Sequence, residues 1–387
     1  MRIAFTLIES SRWTGGHQYL VNLFSIVNRY HPNQITFVLF CGHDAICKDI
    51  DPFLSIPGVE VVRSSVFSAY NKSSMLYRSI FFGVDNNLKK LFYMQKIDLV
   101  FENAQYFGWR LQLPVIAWIP DLQHKKLPGY FSFFSYWKRE LGFRLQIASN
   151  RLIMLSSEDA RKDFEIFYPG SKKNTSVVRF STYIPASLIV DNPHQVLNTY
   201  QLPEQFFYLP NQFWKHKNHR VVIRAVGLLK QEGVNVCVVA SGNSSDPRNP
   251  EYYSQLVSEI NALGIADNFR ILGLIPRLDV VSLLRTCTSF INPSRFEGWS
   301  TSVEEAKSLG TLAILSDIDV HYEQMGEMAT YFPVDDYVAL ASILRDAILA
   351  VHAVNERATG SNDFYLNQYA RDFITTSKMA APANLSG

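Results

Sequence analysis

Short apolar runs that alternate with stretches of helical spacing, in two successive series, constrain this chain more than any other feature of it. The first series is "RIAFTLIES" (2–10), "QITFVLFCG" (34–42), "VEVVRS" (59–64), "IDLVFEN" (97–103), "VIAWIP" (115–120), "RLIMLSS" (151–157) and "TSVVRFS" (175–181). Consecutive apolar residues read as strands buried on both faces, and helices between them make the sheet parallel. The rhythm fails in "PASLIVDNPHQVLNTYQLPEQ" (185–205) and restarts with "FFYLPN" (206–211), "VNVCVVAS" (234–241), "NFRILGLI" (268–275), "SFINPS" (289–294) and "LAILSD" (312–317). Each series opens alike, with a strand, a loop of small or polar residues and a helix, as in "AFTLIESSRWTGGHQYLVNLF" and "FYLPNQFWKHKNHRVVIRAV". The expected fold is α/β: two doubly wound, Rossmann-like domains facing across a cleft, over 1–195 and 204–360, with a linker near 190–204 and a helix over 361–378 joined to the first. A length of 387 residues agrees, because single cores stop growing near about 250–300 residues. The tail "AAPANLSG" is expected to be disordered.

Charge and cysteine usage remove several classes of function. Lys and Arg number 37 against 35 acids, a net charge of +2, which supplies no basic stripe for a nucleic acid. Cys41, Cys47, Cys237 and Cys287 have neither CxxC spacing nor histidines at metal-ligand distances, so they read as buried thiols in a reducing compartment. The N-terminal apolar run is too short for a signal-peptide core, and no window approaches the roughly eighteen apolar residues of a membrane span. A cytoplasmic location is expected, with peripheral contact at the inner membrane face left open.

Acidic chemistry concentrates in "PSRFEGWSTSVEEAKSLG" (293–310). Thr301 followed by Glu304 matches a capping box, and Gly310 fits the position after the helix end. Were the whole span helical, Glu297 and Glu305 would lie ~12 Å apart, beyond the roughly 5–9.5 Å of a glycosidase acid/base pair. That separation suits two grips on one elongated ligand, since a carboxylate accepts paired hydrogen bonds from a sugar diol. A nucleotide sugar offers two diols, on the hexose and on the ribose.

With "NPS" before it and seven residues between Glu297 and Glu305, "EGWSTSVEE" resembles the EX7E signature of retaining glycosyltransferases of the GT-B fold, glycosyltransferase family 4. Stretches in both halves resemble the same family: "TGGHQYLVNL" its first glycine loop, "YLPNQFWKHKNH" its second phosphate loop, "ILGLI" the stretch near the base, and "SDIDVHYEQ" the segment after the EX7E helix. The resemblance implies that Glu297 contacts the donor sugar and Glu305 the ribose, with Gly298, Trp299 and Ser300 in the donor loop between them. It implies that Gly15 and Gly16 let backbone amides approach the diphosphate, a role suited to residues without Cβ. Lys217 would bind the same diphosphate before a helix N-terminus, although taken alone it reads as a solvated lysine. Relatives often carry Arg five positions before that lysine; here Gln212 donates hydrogen bonds but no charge, and Lys215 or Arg295 would compensate. In "IAWIPDLQHKKLP" relatives place a His-Asp pair against the sugar. Pro120 stands at the His position, Asp121 survives, and His124 is the candidate substitute imidazole. Asp121 serves equally to cap the following turn, and a lone His near a strand end serves equally as structure.

Three other motifs have plainer readings. Asp317-x-Asp319 resembles the metal-binding DXD of the other glycosyltransferase architecture, but is read as loop, and no metal or other cofactor is expected. "HKNH" (216–219) lacks the zinc-helix spacing. "GYFSFFSYWKRELGFRLQIASNR" (129–151) mixes aromatics with Lys138, Arg139, Arg144 and Arg151, as an interfacial helix does, and reads equally as a helix packing its aromatic face on the sheet.

The resemblance therefore implies metal-independent transfer of a hexosyl group from a nucleotide-diphosphate sugar to a glycan or lipid-linked saccharide. It is similar to bacterial enzymes that build O-antigen or capsule with mannose or rhamnose, and GDP-mannose is slightly favoured as donor. The alternatives are a non-catalytic nucleotide-sugar-binding protein and an epimerase on the same fold.

Overall fold

The computed structural model describes residues 1–11, 13–103, 105–350 and 362–381; the tail expected to be disordered lies outside them from residue 382 on. Two parallel sheets carry the fold. The first contains β1 (Arg2–Thr6), β2 (Thr36–Cys41), β3 (Val59–Arg63), β4 (Leu99–Asn103), β5 (Val115–Ile119), β6 (Leu152–Leu155) and β7 (Thr175–Val177), in the order β3-β2-β1-β4-β5-β6-β7. The second contains β8 (Phe207–Leu209), β9 (Val238–Ser241), β10 (Phe269–Gly273), β11 (Ser289–Asn292), β12 (Ala313–Ser316) and β13 (Ala329–Phe332), in the order β10-β9-β8-β11-β12-β13. Both are Rossmann-like, and each run read as a strand contains one of these strands. Only β13, "ATYF", escaped the sequence reading, because three of its four residues are half-buried or exposed and form no apolar run.

Strand alternation divides each core into two layers. In the second sheet Phe207, Leu209, Ile291 and Ile314 face the His219–Gln231 and Tyr337–Ala350 helices, while Tyr208, Phe290 and Leu315 face Leu283, Leu284, Val303 and Met325 on the other side. In the first sheet one face carries Val38, Phe40 and Val100, packed with Phe92 and Phe107, and farther along it Ala117, Ile119, Ile153 and Leu155, packed with Phe164 and Tyr168; the other face carries Phe5, Phe37 and Phe101, packed with Phe24 and Phe373.

The chain forms two compact units, one of Met1–Lys126, Phe133–Ser181 and the chain from Asp363 on, the other of Leu127–Ser132 and Thr182–Asn362. The Asp363–Ala380 helix belongs to the first, where the Phe373 ring lies 6.3 Å from Phe5 and 6.0 Å from Phe101. The stretch read as a linker contains the Gln195–Tyr200 helix instead, and its Val196 and Leu197 are buried in the core of the second unit. One further correction concerns the thiols: Cys41 and Cys287 are buried, but Cys47 is exposed at the start of the Cys47–Leu54 helix. Among the described residues no helix is long and apolar enough to cross a membrane.

Candidate active site

In the second sheet the strand order reverses between β8 and β11, and connections diverge there at the carboxyl ends of the strands, which is where doubly wound sheets bind ligands. Asn292, the fully buried last residue of β11, ties the two connections together. Its Oδ1 accepts from Asn211 Nδ2 at 3.2 Å and from Ser294 Oγ at 2.6 Å, and its Nδ2 donates to Ser300 Oγ at 3.0 Å. Ser316, ending β12, donates to the Ser294 carbonyl at 2.6 Å.

Glu297 projects from this braced loop and is buried. Lys217 arrives from the β8 side on the tight Lys215–Lys217 turn, which is closed by Asn218 in the left-handed region, φ 57°, immediately before the His219–Gln231 helix. Lys217 Nζ meets Glu297 Oε1 at 2.6 Å, and Ser294 Oγ, whose single hydrogen this oxygen shares with Asn292 Oδ1, lies 2.7 Å away. Burial alone would raise the Glu297 pKa, but the Lys217 charge and hydrogen bond hold it down to about 2. The carboxylate is therefore ionised at neutral pH. Among the described residues every donor to it uses Oε1, leaving Oε2 open to a ligand hydroxyl.

His321, on the Asp319–Met325 helix, is a residue that sequence reasoning did not single out. Its Nδ1 lies 2.9 Å from the Ser316 carbonyl, so Nδ1 carries the hydrogen. The opposite Nε2 is buried and, among the described residues, has no partner. Burial lowers the imidazole pKa to about 4, against the pull of the Glu297 charge. A neutral ring with a bare nitrogen and a carboxylate with a bare oxygen are both hydrogen-bond acceptors, a pairing suited to ligand hydroxyls.

Glu305 is buried on the Thr301–Ser308 helix, with Oε1 2.8 Å from Arg277 Nη2. Glu297 and Glu305 thus have separate cationic partners. The expected capping box does not form: Ser300 is the N-cap, and the group that closes the helix start is Gln324, far along the chain. Gln324 Oε1 accepts from Ser300 N at 3.0 Å, and its Nε2 donates to Ser300 O and to Glu304 Oε1, both at 3.1 Å. At the other end Gly310 does occupy the left-handed C′ position, φ 65°, with Thr311 N bonded to Ala306 O at 2.9 Å.

The remaining donor-side residues line or support the same loops. Gln212 is half-buried, and its carbonyl accepts from Trp214 N. Gly298 and Trp299 are half-buried beside Glu297 in the chain. Lys215 Nζ lies over the Tyr130 ring, 5.1 Å from its centroid. Arg295 is paired with Asp335 at 2.5 Å and donates to the Lys215 carbonyl at 3.2 Å. These contacts tie Lys215 and Arg295 to the turn that carries Lys217. Asp317 accepts from Val334 N in a loop role. His219 donates to the Asn211 carbonyl and stacks on Phe213.

In the first unit Gly15 and Gly16 form the opening turn of the Thr14–Tyr30 helix. A Cβ on Gly16 would stand 2.4 Å from the Trp13 indole, which stacks on Trp118 at 5.4 Å. Asp121 Oδ1 accepts from Gln123 N at 2.9 Å and pairs with Arg139 at 2.6 Å, so it caps its turn. His124 is corrected outright as a sugar-facing group. It is fully buried between Tyr136 and Phe143 and donates from Nε2 to Glu140 at 3.1 Å. Glu140 also receives Tyr168, Lys125 and Arg144; burial would raise its pKa, but these partners hold it down to about 2. This unit has its own cavity of about 220 Å3 at the ends of β1 and β2, lined in part by Thr6, Glu9, Asp44, Asp49 and Lys72.

Residues 194–352, within the second unit, match the family model Glycosyl transferases group 1. No curated protein matches the chain. Solved structures with the same fold include a glycosyltransferase from Rickettsia africae (14% identity, TM-score 0.70, 99% of this chain and 98% of that one). They also include Anabaena HepE in complex with UDP-glucose (15%, TM-score 0.65, 99% and 98%) and WaaG, a glycosyltransferase involved in lipopolysaccharide biosynthesis (14%, TM-score 0.63, 100% of both). At these identities the likeness is one of fold, the two-domain GT-B architecture.

Proposed function

From the match of residues 194–352 to the Glycosyl transferases group 1 model, we propose that the protein is a retaining hexosyltransferase. It takes a nucleotide-diphosphate sugar as donor and a glycan or lipid-linked saccharide as acceptor in the synthesis of a bacterial surface polysaccharide such as O-antigen or capsule. The observation that carries this reading is the Lys217–Glu297 pair at the β8/β11 switch point, with Glu297 ionised and Oε2 open. Glu297 and the bare Nε2 of His321 accept hydroxyls of the donor sugar, and Glu305 accepts those of the ribose in exchange for part of its contact with Arg277.

As the sugar–phosphate bond breaks, positive charge spreads over the ring and negative charge grows on the leaving diphosphate. Lys217 and the amides opening the His219–Gln231 helix stabilise that anion where it develops. The acceptor oxygen bonds to the anomeric carbon on the face the diphosphate leaves, and its proton passes to the departing phosphate oxygen. No protein base and no metal are needed. The acceptor would sit in the cavity of the first unit, whose carboxylates suit hydroxyl donors.

The test begins with thermal shift against UDP, GDP, dTDP and their hexose conjugates, with GDP-mannose and UDP-glucose first; a ligand at a hundred times its Kd adds about 2.7 kcal/mol. Turnover is then read as nucleoside diphosphate release with a glycan acceptor. Release that persists in Glu297→Gln would overturn the assignment of Glu297. Binding without turnover on any acceptor would favour a non-catalytic nucleotide-sugar-binding protein, a reading to which Gln212 lends weight, and epimerised donor would identify an epimerase.

A further inference from the structure

The cavity of the first unit is lined by hydrogen-bond acceptors that the fold leaves short of donors. Asp49 lies in the opening turn of the Cys47–Leu54 helix and is 1% exposed. Ser10 N and Ser10 Oγ donate to its Oδ1 at 3.3 and 2.6 Å, and His17 Nε2 lies 2.9 Å from its carbonyl oxygen. Among the described residues nothing donates to Asp49 Oδ2. Gln105, another lining residue, buries an amide Oε1 that has no partner among the same residues. Buried acceptors without donors are costly, so a ligand that brings donors to both is favoured.

Charge narrows the class of that ligand. The described residues lining the cavity include three carboxylates, Glu9, Asp44 and Asp49, and one cation, Lys72, which is paired with Glu9 at 2.8 Å. Asp44 Oδ2 accepts from Ala69 N at 2.7 Å, and that hydrogen bond holds its pKa below the ordinary value. An anionic group entering this space meets like charge, whereas a hydroxyl or an ammonium meets acceptors. Building on the assignment of this cavity to the acceptor, we propose that it takes a sugar residue with hydroxyl or ammonium donors and no phosphate or carboxylate. Asp49 Oδ2 is the group that holds it.

Ligand-observed NMR on the full chain measures binding of methyl hexosides, hexosamines, hexuronates and hexose phosphates of the gluco, galacto and manno series. The neutral and amino sugars are expected to bind, and the anionic ones about tenfold or more weakly. Asp49→Asn keeps an oxygen for Ser10 and turns the open one into a donor. That variant should bind the neutral and amino sugars about tenfold more weakly, narrow their advantage over anionic sugars and keep the parent melting temperature. Equal binding of anionic sugars, binding by none of the neutral or amino sugars, or affinities that Asp49→Asn leaves unchanged overturns the proposal. So does a lowered melting temperature in that variant with the preference for uncharged sugars intact, because Asp49 then only holds Ser10. Nucleoside diphosphate release judges the transferase reading separately. Efficient transfer to a phosphorylated or carboxylated sugar refutes the assigned acceptor class and spares the transferase reading; sugar binding with the stated selectivity but no release does the reverse.

Discussion

Lys217 and Glu297 are 80 positions apart in the chain and 2.6 Å apart in space. Replacing Lys217 with Met leaves a buried carboxylate without its cation, a change that costs about 3–5 kcal/mol. Denaturant unfolding of Lys217→Met should therefore show a large loss, and Lys217→Arg a much smaller one. For nucleotide affinity, Glu305→Ala should weaken binding of the free nucleoside diphosphate more than Glu297→Ala does, because only Glu305 is assigned to the ribose; isothermal titration gives the order directly. His124→Phe should lower stability through loss of the Glu140 contact while leaving donor affinity unchanged. A raised donor Kd in that variant would restore His124 to the site.

The Thr301–Ser308 helix shows how an element can be read correctly and its support misread. Spacing placed the helix and its Gly310 end, because those signals are local. The same spacing assigned its start to Thr301 and Glu304, whereas Gln324 closes it from another helix. Gln324→Leu should cost about 1–2 kcal/mol and disturb the loop that carries Glu297. Thr301→Ala should stay within about 0.5 kcal/mol. Comparison of the two unfolding midpoints decides between the capping arrangements. The Phe133–Ala148 helix is a parallel case: Phe143 and Ile147 pack on the sheet, as one of its two readings expects, while Phe133, Phe134, Trp137 and Leu141 stay exposed.

Across the molecule, acid tolerance should be set by the second unit, where His216, His219 and His321 are all buried. Burial lowers their pKa values from 6.5 to about 3, 3 and 4. Below pH 6.5 the unfolded chain binds protons that the folded unit refuses, so stability falls as pH drops toward 4, by up to about 1.4 kcal/mol per pH unit for each histidine. Glu297 adds to the loss below its unfolded value of 4.5, since its folded pKa is about 2. Calorimetric melting from pH 7 to 4 should show one transition moving down steeply, and His219→Phe should flatten its slope.

The strand runs and the two-sheet α/β class were legible in the sequence alone, because hydrophobic periodicity is a property of neighbouring residues. Side-chain partners were not. Lys217 with Glu297, Gln324 with Ser300, Arg277 with Glu305 and His124 with Glu140 each join separate elements. Glu297 became an ionised carboxylate with one open oxygen, and His124 an interior group, only when the sheets and helices had packed. The burial that sets their protonation, and the distances that choose their partners, exist only in the assembled fold.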